Sequence, residues 1–158
     1  MATFTTSNRS VADVTAQVHE VWEVLTDPDL LAQLTPFLHS VTERGEHWVW
    51  QLTKVPVLGK NFSFTFRELM VFDEPHRIDF THDPAPGTAE TAGVVGYYAL
   101  TPHPRGTHLE TSMTITVDLP FPGLLRPGVT AAMRGVIAIM GQRFGHNLLA
   151  HLGATNAG

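Results

Sequence analysis

Residues 61–72 read NFSFTFRELMVF, and this stretch decides the fold class. From Phe62 onward, large apolar side chains occupy the even positions, and the odd positions hold serine, threonine, arginine, leucine and valine. A period of two is typical of a strand with one apolar face, as found in antiparallel sheets. Glu68 is the one residue that interrupts the apolar face.

Similar patterns extend along the chain on both sides of this strand. The strands are predicted over residues 3–14, 37–44, 47–53, 61–72, 76–82, 89–101 and 107–118. The helices are predicted over residues 16–25, 28–34 and 124–152. Thr15 is the predicted N-cap of the first helix, and Pro28 suits the first turn of the second.

The apolar face of such a sheet must be covered by another element. The last helix is the one element long enough to cover it. We therefore predict an α+β fold, in which a curved, seven-stranded antiparallel sheet grips a long C-terminal helix, with two short helices between strands 1 and 2. Side chains cannot fill all the space between a curved sheet and a helix, so a ligand-binding cavity is expected there.

Composition excludes several classes of protein. The 158 residues predict a single domain, residues 1–158, with an ordered core over about 4–152. A net charge of −5 argues against nucleic-acid binding, and the absence of cysteine excludes disulfides and thiolate chemistry. Residues 1–10 do not resemble a signal peptide, so we expect a cytoplasmic protein. Polar residues interrupt the apolar stretch 129–152, so we expect no membrane-spanning segment.

Two stretches carry a resemblance to a known superfamily. Residues 21–28 read VWEVLTDP, and the sequence LTP at 100–102 is followed by GTHL at 106–109. With the order of elements, they resemble the START-like or SRPBCC superfamily, also called the helix-grip or Bet v 1-like fold, over about residues 4–152. This resemblance implies a hydrophobic cavity under the C-terminal helix. It implies no particular catalytic residue, because the matching stretches mark turns and packing.

Two polar residues on the last helix are candidates for contacting a ligand. Arg143 and Asn147 fall within or beside an apolar arc that includes Met133, Met140 and Phe144. In one interpretation they orient a carboxylate, carbonyl or hydroxyl group of an apolar ligand. In the other, Arg143 pairs with a carboxylate on a strand, and the helix end extends beyond the sheet.

Glu68 is the candidate for acid–base chemistry. A carboxylate on an apolar face is costly unless it is paired, and Arg143 would be a suitable partner. If it is unpaired, its pKa rises and Glu68 becomes the best general acid or base in the chain. A β-bulge that turns Glu68 outward is the alternative.

The remaining candidates for ligand contact are apolar or aromatic. They share predicted positions on the inner faces of the strands or of the last helix, and each could equally be a core residue. They are Trp50, Phe64, Phe66, Met70, Tyr98, Met113, Met133 and Met140.

No metal or cofactor is predicted. The nine histidines are scattered, and His146 and His151 lie on different faces of a helix, so they cannot share an ion. The sequence also lacks a nucleophile elbow, a phosphate-binding loop and a dinucleotide fingerprint.

Three functions fit these observations. The first is binding or transport of a small hydrophobic molecule, such as a lipid, an isoprenoid or an aromatic, polyketide-like compound. The second is a cyclase, aromatase or dehydrase-like lyase that uses the same cavity. The third is a protein-interaction module of the chaperone-activator type, which would use the basic last helix or the loop 119–123. A monomer or a homodimer is compatible with each of the three.

Overall fold

The computed structural model describes residues 2–157, so residues 1 and 158, the ends of the predicted domain, lie outside the described part. Seven strands form one antiparallel sheet in the order β1-β7-β6-β5-β4-β3-β2. They are β1 Ala2–Val14, β2 Leu38–Arg44, β3 His47–Val57, β4 Lys60–Asp73, β5 Arg77–His82, β6 Ala92–His103 and β7 Gly106–Leu119. The predicted sheet is confirmed, with most strands slightly longer than expected.

Two short helices follow β1, and one long helix ends the chain. These are α1 Val18–Leu25, α2 Pro28–Leu34 and α3 Arg126–Leu152, with a 3-10 turn at Gly123–Leu125 before α3. Together with the sheet they confirm the helix-grip architecture.

The start of α1 was wrong in the prediction. The helix begins at Val18 rather than Ala16, because Gln17 is its N-cap and Glu20 accepts a hydrogen bond from the backbone of Gln17. The Thr15 hydroxyl instead accepts a bond from the backbone N–H of Thr155. A residue type that suits an N-cap therefore does not decide the helix start when a distant segment uses the same hydroxyl.

The sheet bends at a bulge in β3. The register between β3 and β4 shifts between Leu52 and Val55, and Lys54 has a positive φ of 56°. An extra residue in one strand of an antiparallel pair bends that strand and increases its twist. The sequence prediction ended this strand at residue 53, whereas β3 continues past the bulge to Val57.

The buried core is divided into two clusters at opposite ends of the concave face. The first core cluster lies at α1 and α2, and it contains Val14, Ala16, Val21, Trp22, Leu25, Leu31, Leu38, Val41, Trp48, Met70, Ile78, Phe80 and Leu100. The second core cluster contains Phe4, Val55, Val57, Phe64, Phe66, Ala92, Val117, Leu119, Phe121, Val129 and Met133. Because Val129 and Met133 belong to the second cluster while Leu149 and Leu152 pack on the first, α3 is anchored at both ends.

Within residues 2–157, one segment, Gly123–Leu152, has the length and apolar composition that a membrane-crossing helix needs. Length and composition alone do not establish a membrane span, and 11% of the most apolar stretch of this segment is buried in the structure. In this fold α3 contacts β1, β3 and α2, and its apolar arc faces the sheet.

Gly96 and Gly135 offer a matched test of the packing between β6 and β7. A Cβ added at Gly96 would lie 2.0 Å from the backbone oxygen of Ser112 on β7, so Gly96→Ala must push the two strands apart. We expect it to lower the free energy of unfolding by roughly 2 kcal/mol or more. A Cβ at Gly135 on α3 meets nothing within 4 Å, so Gly135→Ala should raise stability by up to about 1 kcal/mol. Urea unfolding of the two variants measures both effects, and equal stabilities would contradict this description of the sheet.

Candidate functional site

A cavity of about 590 Å³ lies between the concave face of the sheet and α3. Its position follows from the division of the core, because side chains of both clusters close its ends and the middle of α3 spans the space between them. Between Met133 and Leu148, none of the α3 residues is fully buried. A volume of this size is typical of sites for small organic molecules.

The floor and roof of the cavity are mostly apolar. The floor is formed by inward-facing side chains of the strands, including Leu52, Phe64, Phe66, Phe80, Val94, Leu109, Ile115 and Val117. The roof is the apolar arc of α3, which includes Met133, Val136, Ile137, Met140 and Phe144. The alternation along the strands and the helical period of α3 position these side chains.

Most of the candidate contact residues from the sequence do line the cavity. They are Trp50, Phe64, Phe66, Glu68, Tyr98, Met113, Met133 and Met140. Met70 does not, because its side chain is buried in the first core cluster.

Arg143 and Asn147 lie outside the cavity lining as well. Arg143 sits at the edge of the apolar arc and is exposed, whereas the amide of Asn147 donates a 2.9 Å hydrogen bond to the backbone oxygen of Leu34, the last residue of α2. Asn147 therefore fastens α3 to α2, whereas the next two residues, Leu148 and Leu149, line the cavity. A helical wheel gives the angle of a residue about the axis but not which neighbouring element lies at its height.

Glu68 lies inside the cavity, with only 3% of its surface exposed. The predicted pairing with Arg143 is wrong, and so is the outward turn at a bulge, because Glu68 stays in register opposite Trp48. Its Oε2 atom has no hydrogen-bond partner among the residues that the structure describes. Burial raises the pKa of Glu68 from 4.5 to about 8, so the side chain is mainly a neutral carboxylic acid at pH 7.

Two further polar side chains lie in the lining near Glu68. The indole Nε1 of Trp50 is buried and, within residues 2–157, has no hydrogen-bond partner. Tyr98 lies on β6, and burial, followed by the charge of Glu68, raises the pKa of its hydroxyl. The Tyr98 hydroxyl therefore stays protonated at physiological pH, and the indole of Trp50 carries no charge.

The cavity opens to solvent between β1 and α3. Asn8, Ser10 and Ala12 of β1 line it and are exposed, as are Gln142 and His146 of α3. This mouth was not predicted from the sequence. Its signal is present in β1, where the inner face changes from Phe4 to small and polar residues.

The charges of the lining are sparse. Among the described lining residues none is lysine or arginine, and Glu68 is the one acidic residue. Within residues 2–157, no group of three or more histidine, aspartate or glutamate side chains is arranged to hold a metal ion.

The fold and the cavity define a START-like, helix-grip protein, and comparison with known proteins agrees. Residues 1–153 match the family described as polyketide cyclase / dehydrase and lipid transport, and the chain belongs to this family. No curated protein sequence matches the chain significantly.

Solved structures with the same fold have low sequence identity. The di-domain aromatase/cyclase StfQ from the steffimycin biosynthetic pathway superposes with a TM-score of 0.66 at 16% identity over 95% of this chain, which spans about half (51%) of StfQ. Zhui aromatase/cyclase from Streptomyces sp. R1128 has a TM-score of 0.60 at 16% identity, over 96% of this chain and 94% of Zhui. A START superfamily protein from Mycobacterium smegmatis has a TM-score of 0.61 at 12% identity, over 94% and 97% of the two chains. At these identities the likeness establishes the fold.

The raised pKa of Glu68 predicts a characteristic dependence of stability on pH. Because the folded state holds this proton more tightly than the unfolded state, its contribution is complete below about pH 4.5 and is lost as the pH rises towards about 8. Relative to Glu68→Gln, which cannot ionise, the wild-type protein should lose about 1 kcal/mol of unfolding free energy per pH unit in this interval. Urea unfolding at pH 5.5, 6.5 and 7.5 measures the difference. Parallel curves for the two proteins would show that Glu68 is not buried as described.

Proposed function

We propose that the protein binds a small hydrophobic molecule, such as a lipid, an isoprenoid or an aromatic polyketide-like compound, in the cavity between the sheet and α3. The observation that carries this proposal is the apolar cavity of about 590 Å³ under a helix that is anchored only at its ends. Moving apolar surface from water into such a space is favourable, at about 25 cal/mol for each Å².

The residues of the lining support a ligand of variable shape. Met113 on β7 and Met133 and Met140 on α3 face the cavity. Methionine is flexible and polarisable, and it adapts to irregular apolar surfaces. The mouth between β1 and α3 gives a route from solvent. Gly141 lies in the lining, and the space beside it is open, because a Cβ added there would meet nothing within 4 Å.

Two glycines of α3 give a matched test of this site. Gly141 lines the cavity and Gly135 does not, while an added Cβ meets nothing within 4 Å at either position. Gly141→Trp should occupy space at the mouth and weaken binding of the neutral dye Nile red at least several-fold. Gly135→Trp should bind the dye as the wild type does, because its indole lies outside the cavity.

Fluorescence titration with Nile red measures both affinities. The proposal is contradicted if the wild type does not bind the dye, or if the two variants weaken binding equally. Circular dichroism of each variant establishes that the fold is retained.

A cyclase or dehydrase activity is the second candidate, and the neutral carboxyl of Glu68 favours it. In the dehydration of a β-hydroxy ketone, this group would donate its proton to the hydroxyl that leaves as water. The resulting carboxylate would take the proton from the carbon between the two oxygen-bearing carbons, so the acid form is regenerated. StfQ and Zhui, which share the fold, are aromatase/cyclases.

Glu68→Gln separates this activity from binding alone. The amide keeps the size of the side chain but cannot transfer the proton, so turnover of a β-hydroxy ketone substrate should fall by roughly 10²- to 10⁴-fold while the substrate still binds. Turnover that is unchanged in the variant would exclude Glu68 as the acid, and a wild type without turnover would leave binding as the function.

A further inference from the structure

Two residues in the lining of the cavity each carry a buried polar atom that has no hydrogen-bond partner among the described residues. The two atoms are Oε2 of Glu68 on β4 and Nε1 of Trp50 on β3. In native proteins, buried polar side-chain atoms nearly always have a hydrogen-bond partner. Two such atoms on lining residues of one ligand-sized cavity therefore point to a group on the ligand as their partner.

The register of the sheet brings these two side chains together. Trp50 lies opposite Phe66, and Trp48 lies opposite Glu68, so Trp50 and Glu68 are diagonal neighbours on the concave face. Diagonal neighbours are separated by roughly 7–8 Å, which long side chains can bridge. Tyr98 of β6 lines the same cavity, and burial, followed by the charge of Glu68 once it ionises, raises the pKa of the Tyr98 hydroxyl.

The chemistry of these atoms restricts the group that they can hold. An indole N–H only donates a hydrogen bond, whereas a neutral carboxyl both donates and accepts one. One oxygen atom of a hydroxyl or carbonyl group can accept from Trp50 and complete the hydrogen bonds of Glu68.

The charge of the lining further restricts the kind of ligand group that the cavity can hold. No lysine or arginine is found among the described lining residues, so a carboxylate or phosphate held deep in the cavity would be desolvated without a countercharge. Burial raises the pKa of Glu68 to about 8, which shows that a negative charge is unfavourable at this place. An anionic ligand group beside Glu68 would be still less favourable, because it would repel any charge on the carboxyl.

We propose that the cavity recognises a neutral hydroxyl or carbonyl oxygen on its hydrophobic ligand, held between the Glu68 carboxyl and the Trp50 indole N–H. This proposal rests on the proposed binding function and adds the chemical class of the ligand: uncharged, oxygen-bearing molecules such as phenols, alcohols and ketones. Fatty acids and phosphorylated lipids are disfavoured.

Three probes with one carbon skeleton test the proposal. They are naphthalene, 2-naphthol and 2-naphthoate, and their affinities are measured by displacement of Nile red at pH 6.5. The wild type should bind 2-naphthol roughly threefold to tenfold more tightly than naphthalene, which is the effect of one or two net hydrogen bonds. It should bind 2-naphthoate more weakly than either.

Variants assign the preference to the two residues. Trp50→Phe removes the N–H and Glu68→Leu removes the carboxyl, so each should lose the preference for 2-naphthol while still binding naphthalene. Glu68→Gln keeps a neutral group that donates and accepts, so it should retain most of the preference. Arg143→Ala is the control, because Arg143 is exposed and outside the cavity.

The outcomes distinguish this proposal from the one on which it rests. A wild type that binds none of the three probes would contradict the proposed binding function. If naphthalene and 2-naphthol bind equally well, and Trp50→Phe and Glu68→Leu change neither affinity, the recognition of a neutral oxygen is overturned. Hydrophobic binding then remains as the function. Tightest binding of 2-naphthoate would overturn the recognition of a neutral oxygen as well.

Discussion

The anchoring of α3 at both ends is the constraint on which the rest of the structure depends. Val129 and Met133 hold its first half in the second core cluster, while Leu149 and Leu152 hold its last turns on the first. The sheet between these anchors is curved, so the middle of the helix cannot reach it. The apolar arc in this middle part therefore faces a cavity instead of protein. A straight rod across a curved surface leaves such a space for geometric reasons, whatever the ligand.

The same geometry explains the chemistry of the cavity. Glu68 on β4 and Trp50 on β3 lie on the same concave face as Phe64 and Phe66, and among residues 2–157 no side chain completes the hydrogen bonds of the Glu68 Oε2 and Trp50 Nε1 atoms. A leucine at position 68 would pack at a lower cost, since a buried carboxyl without a partner is destabilising. Natural proteins keep destabilising groups of this kind mainly where they serve a function. The position of Glu68 in the lining agrees with this principle.

Much of this arrangement could be predicted from periodicity. The period of two in β4 placed Phe64, Phe66 and Glu68 on one face, and the order of elements was sufficient for the fold. That Glu68 has no partner among the described residues could not be predicted, because a period gives the face of a residue and not its distance from residues on other elements. For the same reason Asn147 was assigned to the cavity, although at its height on α3 the neighbour is the end of α2.

The separation of α3 from the sheet is tested most directly by a crystal structure determined under xenon pressure. Xenon enters apolar cavities that are large enough to hold it. We expect α3 to span the sheet and xenon to lie between Met140 of the helix and the aromatic floor at Phe66. A helix that rests on the strands, with Met140 packed against Phe66 and no xenon between them, would contradict this prediction.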